Sequence, residues 1–220
     1  MLSLGVMVSG GGTNLQAIID KIESGYLKNC RIATVVSSKD NAFALKRAEK
    51  YNIPAVCIRR RDYNTIDEYD DALIDHLNKY KVGLVVMAGY LSIVGERFVN
   101  EFKNRVINIH PSLIPAFCGK GYYGIIPHVK ALEYGVKVTG ATVHFVTNET
   151  DSGPIILQKA VYVEEEDTPE TLQKRVMEEA EWQILPEAIK LFYENRLVIE
   201  GRRVKILKDG TVNIKNDKNY

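Results

Sequence analysis

Short runs of apolar and β-branched residues at 4–9, 32–37, 55–58, 84–88 and 106–110 alternate along the chain with longer stretches at 15–22, 42–51, 67–80 and 96–102. In the longer stretches apolar residues recur at spacings of three and four, with charges on the remaining face. The first pattern predicts strands and the second amphipathic helices. Strands that are apolar nearly throughout, with helices between them, predict an α/β fold: an open, mostly parallel twisted sheet with right-handed crossovers and helices on both faces.

Beyond His110 the texture changes. Residues 111–127 contain three prolines and three glycines and show little periodicity, which predicts a long loop of the kind that often walls an active site. A short helix follows at 128–134, then two strands at 138–147 and 155–163 joined by 148–154. Thr168 as a cap and Pro169 at the first helical position predict a helix to about 195, bent or interrupted near Pro186. Strand-like residues 197–199 and 204–207 and a turn at Asp209-Gly210 suggest a closing hairpin. No repeat, low-complexity tract or linker appears, so one domain is expected over 1–196, with 197–220 as a short strand or hairpin extension packed on it or trailing it.

With 220 residues, 45% of them apolar, the chain can bury a large core, and disorder is excluded as its main state. Lys and Arg number 29 against 28 Asp and Glu, a net charge of +1, so a general nucleic-acid binder is excluded and any anionic ligand must be met by a local site. The longest apolar run, 84–88, falls far short of the roughly 20 residues that span a bilayer. Residues 1–8 lack the basic flank and cleavage-like ending of a signal peptide, and a cytoplasmic protein is expected. Cys30, Cys57 and Cys118 are odd in number and far apart, without a zinc-ligand spacing, so neither a disulfide framework nor a metal is expected. Cys118 is a nucleophile in principle, but no activating neighbour is visible in the sequence.

Three segments carry candidate chemistry. Ser9-Gly10-Gly11-Gly12-Thr13-Asn14 follows a strand and opens a helix, where backbone amides and the positive end of the helix dipole meet an anion. It has neither a dinucleotide fingerprint nor a Walker spacing, which disfavours NAD and ATP. A phosphate seat and a plain turn capped by Thr13 or Asn14 fit the spacing equally well. Asn108 and His110, alternate residues of one strand, project from the same face, and an amide donor beside a group titrating near neutrality suits acyl transfer. The same pair would also serve to satisfy loop backbone. Asp151 lies in a Gly-Pro turn, where a turn-forming Asp is the ordinary explanation; brought to His110 it would raise the imidazole pKa and orient the ring. His144 is either a pocket residue or a hydrogen-bonded core histidine, and His76 and His128 read as structural or exposed.

Five motifs together resemble one family, the folate-dependent glycinamide ribonucleotide formyltransferases of purine biosynthesis. They are Ser9-Gly10-Gly11-Gly12-Thr13-Asn14-Leu15-Gln16-Ala17-Ile18, Met87-Ala88-Gly89-Tyr90-Leu91, Asn108-Ile109-His110-Pro111-Ser112-Leu113-Ile114-Pro115, Gly140-Ala141-Thr142-Val143-His144-Phe145-Val146 and Asp151-Ser152-Gly153-Pro154-Ile155-Ile156-Leu157-Gln158. The resemblance spans about 6–197 and implies a Rossmann-like formyltransferase fold. It implies transfer of a formyl group from 10-formyltetrahydrofolate to the amine of 5-phosphoribosyl-glycinamide, with no metal. By the same resemblance Gly12, Thr13 and Asn14 hold the substrate phosphate, Glu181 meets the ribose, and Asn108, His110 and Asp151 are the catalytic trio. A protonated His110, kept charged by Asp151, is implied. The folate is expected against Leu91, Ser92, Ile93 and Val94 and the turn with Asn148, Thr150 and Asp151, beside Asn108. The chain departs from other members at Ser92 and Ile66, where Arg occurs, and at Glu178, where Lys occurs. Around 177–181 it is one residue longer than some of them.

Related readings are a formyltetrahydrofolate hydrolase, another formyltransferase of the same fold such as the methionyl-tRNA enzyme, and a non-catalytic folate or phosphate-sugar binder. The hydrolase is expected to carry an added N-terminal domain and the tRNA enzyme an added C-terminal nucleic-acid-binding domain, neither of which this chain is expected to have. The expected partners are the two small molecules, with no nucleic acid and no membrane, and the expected state is a monomer or homodimer.

Overall fold

The computed structural model describes residues 1–208, which fall into two compact units: Met1–Ile109 with Val146–Thr150, and His110–Phe145 with the chain from Asp151 onward. The expected turn at Asp209-Gly210 and the rest of the segment to 220 lie outside the described residues.

The first unit contains β1 (Leu2–Val8), α1 (Thr13–Glu23), β2 (Cys30–Ser37), α2 (Phe43–Lys50), β3 (Ala55–Cys57), α3 (Ile66–Lys79), β4 (Leu84–Met87), α4 (Glu96–Glu101) and β5 (Val106–His110), whose last residue begins the second unit. The strands lie in the order β3-β2-β1-β4-β5, every neighbouring pair parallel. From Ser3 to Val8 every residue of β1 is buried, as a strand covered on both faces must be. Tyr69, Leu73 and Leu77 of α3, with Phe98 and Phe102, pack on Met7, Val36, Val85 and Val106 of the strands, each burial stabilising the fold by about 1.5–3 kcal/mol. Thr65 starts α3 by accepting the Glu68 N–H, and Glu68 returns a carboxylate to the Thr65 N–H.

The strand order reverses direction at β1, because β2 and β3 lie on one side of it and β4 and β5 on the other. The loops leaving β1 and β4 therefore part to opposite sides of a switch point, the place where open α/β sheets receive ligands.

The second unit holds α5 (Ile126–Tyr134), β6 (Val138–Phe145), β7 (Ile155–Tyr162), α6 (Pro169–Val176), α7 (Trp182–Tyr193), β8 (Leu197–Glu200) and β9 (Arg203–Ile206). β6 and β7 are antiparallel, β7 and β9 parallel, and β8 and β9 antiparallel. A hairpin does close the described chain, but it turns at Gly201-Arg202, one step before the expected place; Glu200 pairs with Arg203 and Gly201 takes the positive φ (62°) that a two-residue turn requires.

Thr168 and Pro169 start α6 as expected. The expected bend at Pro186 is not found, since Pro186 lies inside α7. The irregularity is a π-helical turn at Met177–Glu181, where the Trp182 N–H reaches back to the Met177 carbonyl. Among the described residues no helix is long and apolar enough to cross a membrane.

Candidate active site

Of the expected site residues, Gly12, Thr13, Asn14, Leu91 to Val94, Asn108, Asn148 and Thr150 belong to the first unit, and His110, Asp151 and Glu181 to the second. In the first unit, Gly12 is the N-cap of α1, with φ 71° and ψ 33°, a left-handed conformation that costs a residue with a side chain about 1–2 kcal/mol. Glycine has no side chain to offer as a cap, and the expected capping by Thr13 or Asn14 is not found; Thr13 opens the helix and Asn14 is buried within it. The first turn carries no acidic residue. Outside Gly10 and Gly11 a Cβ would meet nothing within 4 Å. The turn thus offers helix-end amides and space to an anion, with no carboxylate to repel it.

Leu91 to Val94 follow β4 and adjoin this turn, because the Leu91 N–H donates to Ser9 Oγ at 2.8 Å and Ser9 shares a hydrogen bond with Ser38. Buried Asp70 holds the other end of the segment, accepting the Gly95 N–H at 2.8 Å and the Phe98 N–H at 3.1 Å. Leu91 and Ile93 stay 43% and 68% exposed, an apolar surface suited to a flat ring. Sequence reasoning missed Asp70, although a signal was present: it shares the apolar face of α3 with Ile66, Tyr69, Leu73 and Leu77. Asn148 and Thr150 are exposed in the turn, and Asn108 is half-buried in β5 opposite Met87.

The second unit builds a buried charge relay around Asp151. Its Oδ2 stands 3.5 Å from His110 Nδ1 and accepts the Gly119 N–H at 2.8 Å, while its Oδ1 stands 3.6 Å from His144 Nε2. The side chains of His110, His144 and Asp151 are 5%, 2% and 9% exposed. A β-bulge at Val143/His144 shifts the β6–β7 register, the local device that re-aims a strand side chain. Asp151 itself takes a positive φ of 53°, which Asp and Asn tolerate better than other residues. Each imidazole has a carbonyl at its far nitrogen: His110 Nε2 donates to Phe117 at 3.0 Å, and His144 Nδ1 donates to Phe145 at 2.8 Å. His144 is therefore both of the things expected of it, a hydrogen-bonded buried histidine and a neighbour of the site. Phe117 and Gly119 act through their backbones, so residue type carries no signal for them.

Burial opposes the charge on Asp151, but His144, His110 and the Gly119 N–H outweigh it and hold the carboxyl below its ordinary range. For His110 the balance falls the other way. Burial pushes its pKa down and wins over the Asp151 carboxylate and the Phe117 carbonyl, which push it up, with His144 adding to the fall. The implied resting charge on His110 is thus not found: the ring rests neutral near pH 7, with acceptors placed at both nitrogens for a second proton. Asp151→Asn keeps the shape and removes the charge that favours the imidazolium. His110 is expected to titrate lower in the variant, read from its ring-proton shift by NMR; an unmoved titration would mean the two groups are uncoupled.

Cys118 is no nucleophile, since burial and Asp151 both push its thiol up and its Sγ donates to the Pro115 carbonyl. Glu181 is buried at the end of the π turn, whereas Glu178 is exposed and pairs with Lys174. His76 is structural, bonded to Thr34 at 2.8 Å. His128 is fully buried, and neither ring nitrogen has a hydrogen-bond partner among the described residues. Burial, aided by His110, lowers its pKa to about 4.

An unfolded histidine titrates near 6.5, so between those values the unfolded chain binds the extra proton and stability falls as pH falls, by roughly 3 kcal/mol in full. His128→Leu loses no hydrogen bond and is expected to flatten that slope in urea unfolding between pH 7 and 4.5. An unchanged slope would assign the acid sensitivity elsewhere.

Among the described residues no group of three or more His, Cys, Asp or Glu is arranged to hold a metal ion.

Comparison with known proteins gives a consistent result. The family model described as formyl transferase matches residues 3–189. A phosphoribosylglycinamide formyltransferase of Haemophilus influenzae is 41% identical over 197 residues, 90% of each chain. The trifunctional purine biosynthetic protein adenosine-3 of Homo sapiens is 40% identical over 186 residues, 84% of this chain and 18% of that longer one. The crystal structure of glycinamide ribonucleotide transformylase 1 from Symbiobacterium toebii superposes with a TM-score of 0.89 at 48% identity, covering 94% of this chain and 95% of that one.

Proposed function

Since the chain belongs to the formyl transferase family, and within it to the phosphoribosylglycinamide formyltransferases, we infer that it transfers the formyl group of 10-formyltetrahydrofolate to the amine of 5-phosphoribosyl-glycinamide. The products are formylglycinamide ribonucleotide and tetrahydrofolate, and the step belongs to purine biosynthesis. The observation that best supports the chemistry is the buried Asp151 carboxylate set against His110, an arrangement for moving a proton out of water's reach.

The substrate phosphate sits on the amides at Gly12, Thr13 and Asn14, and Glu181 takes the ribose hydroxyls. The folate ring lies on Leu91, Ser92, Ile93 and Val94 and the turn with Asn148 and Thr150. When the amine nitrogen bonds to the formyl carbon, the carbonyl oxygen gains charge, and the Asn108 amide and His110 receive it. His110, neutral at rest, takes the proton that the attacking nitrogen loses; Asp151 balances the resulting imidazolium. The proton then goes to the folate nitrogen as its bond to the formyl carbon breaks, and tetrahydrofolate leaves. The catalytic domain is 1–196, with 197–220 its extension, in a cytoplasmic monomer or homodimer.

Purified protein given both substrates, beside tubes lacking the ribotide, tests the reading by tetrahydrofolate release and the mass of the product. Release that requires the ribotide, matched by formylated ribotide, is expected. Release without it would make the protein a hydrolase, and binding without release in either tube would make it a ligand-binding protein.

A further inference from the structure

The glycine turn is held by α2 as well as by its own helix. The carbonyls of three successive glycines are all engaged: Gly10 accepts the Ala44 N–H at 3.1 Å, Gly11 accepts Arg47 Nε at 2.8 Å, and Gly12 accepts the Gln16 N–H at 2.9 Å. The middle bond is the one supplied by a side chain. Arg47 is itself fixed on two further sides, donating to Gln16 Oε1 at 3.0 Å and lying over the Phe43 ring, 5.1 Å from its centroid. Gln16 in turn donates to Asp20 at 2.8 Å and to the Tyr51 hydroxyl at 2.9 Å, which leaves its oxygen facing the guanidinium.

A trans peptide is planar, and its C=O and N–H point in opposite directions. Carbonyls of Gly10 and Gly11 drawn towards α2 therefore turn the amides of Gly11 and Gly12 away from it, to the side where a Cβ on Gly10 or Gly11 would meet open space. Successive amides aimed one way form a seat for an anion. Two glycines in such a turn have many conformations of similar energy, so the aim must be imposed from outside.

We propose that Arg47 is a positioning residue for phosphate recognition: its guanidinium, clamped between the Gly11 carbonyl, Gln16 and Phe43, locks the Gly11–Gly12 peptide with its N–H towards the phosphate. The proposal rests on the reading that this turn holds the substrate phosphate. Arg47 touches no substrate in it. A lysine would keep the charge but lacks the fork that spans Gly11 and Gln16 together.

The test is steady-state kinetics on the full chain with both substrates varied, and with inorganic phosphate as a competitor of the ribotide. Arg47→Met is expected to raise the ribotide KM and the phosphate inhibition constant together by about tenfold, while kcat and the formylfolate KM stay within about twofold. Arg47→Lys, a milder change should the first variant fold poorly, is expected to recover only part of the loss. Gly11→Ala, which sets a methyl group in the open space, probes the phosphate reading separately. A raised ribotide KM in Gly11→Ala but not in either Arg47 variant would overturn the role of Arg47 and leave the phosphate seat standing. An unchanged ribotide KM in all three would overturn both. A fall in kcat with both KM values rising alike would make Arg47 a prop of the fold only and overturn the proposal.

Discussion

His110→Ala and Asn108→Ala are each expected to lower kcat by about 100-fold or more while the KM for either substrate changes little, because each removes a group that acts on charge developed only in the transition state. The two should differ in pH dependence. Asn108 does not titrate, so its variant keeps the profile set by His110, depressed throughout. His110→Ala loses the limb that the buried imidazole supplies, and what activity remains follows the solution chemistry of the amine. The double variant should be little worse than the poorer single one, since two groups serving one oxygen and one proton do not contribute independently. Rate measurements from pH 5 to 9 on the three proteins decide this; near-normal turnover in either single variant would remove that residue from the mechanism.

Gly12→Ala is expected to be nearly as damaging, for a different reason. The new Cβ would stand 2.6 Å from Ala44 Cβ and 2.9 Å from its Cα, contacts with backbone that cannot yield cheaply. It would also force a left-handed φ of 71° on a residue with a side chain. Overpacking and strain together are expected to cost about 2–5 kcal/mol of unfolding stability, or to move the turn and lose ribotide binding instead. Ala44→Gly added to Gly12→Ala relieves the overlap but not the strain, so the pair should recover part of the loss. Urea unfolding and the ribotide KM, measured on the single and double variants, separate the two contributions, and a Gly12→Ala protein normal in both would mean that the turn is not constrained as described.

The parallel half of the fold was legible because its information is periodic. Runs such as 84–88 and 106–110 are apolar throughout, helices 15–22 and 67–80 are two-faced, and the structure departs from these bounds by two residues or fewer at most ends. Asn108 and His110 were legible as a pair because alternation along a strand is local. Asp151 was not. Its meeting with His110 depends on how far β6 and β7 carry the chain before it turns, and no spacing in the sequence states that distance. The roles of Phe117 and Gly119 are those of backbone groups, invisible to side-chain type. The resting state of His110 was misjudged for a related reason: the resemblance named the carboxylate beside it, whereas the depth of its burial is a property of the whole unit. At the end of the chain, proline in the sequence pointed to Pro186 as the break. The break fell instead on ordinary helix formers at Met177–Glu181, the place where the motif comparison had found one residue too many.

That coincidence says how the chain can change in length without being rebuilt. One residue added to an ideal helix turns everything after it by about 100°, which would swing Ile184, Leu185, Ala188 and Ile189 out of the core they now occupy. Widening a single turn confines the extra residue to one place, and the buried face downstream keeps its bearing. The π turn works like a leap day: it absorbs a mismatch in counting so that the calendar on either side stays aligned, and a lineage can gain or lose the residue there while its core, and Glu181 at the boundary, remain in step.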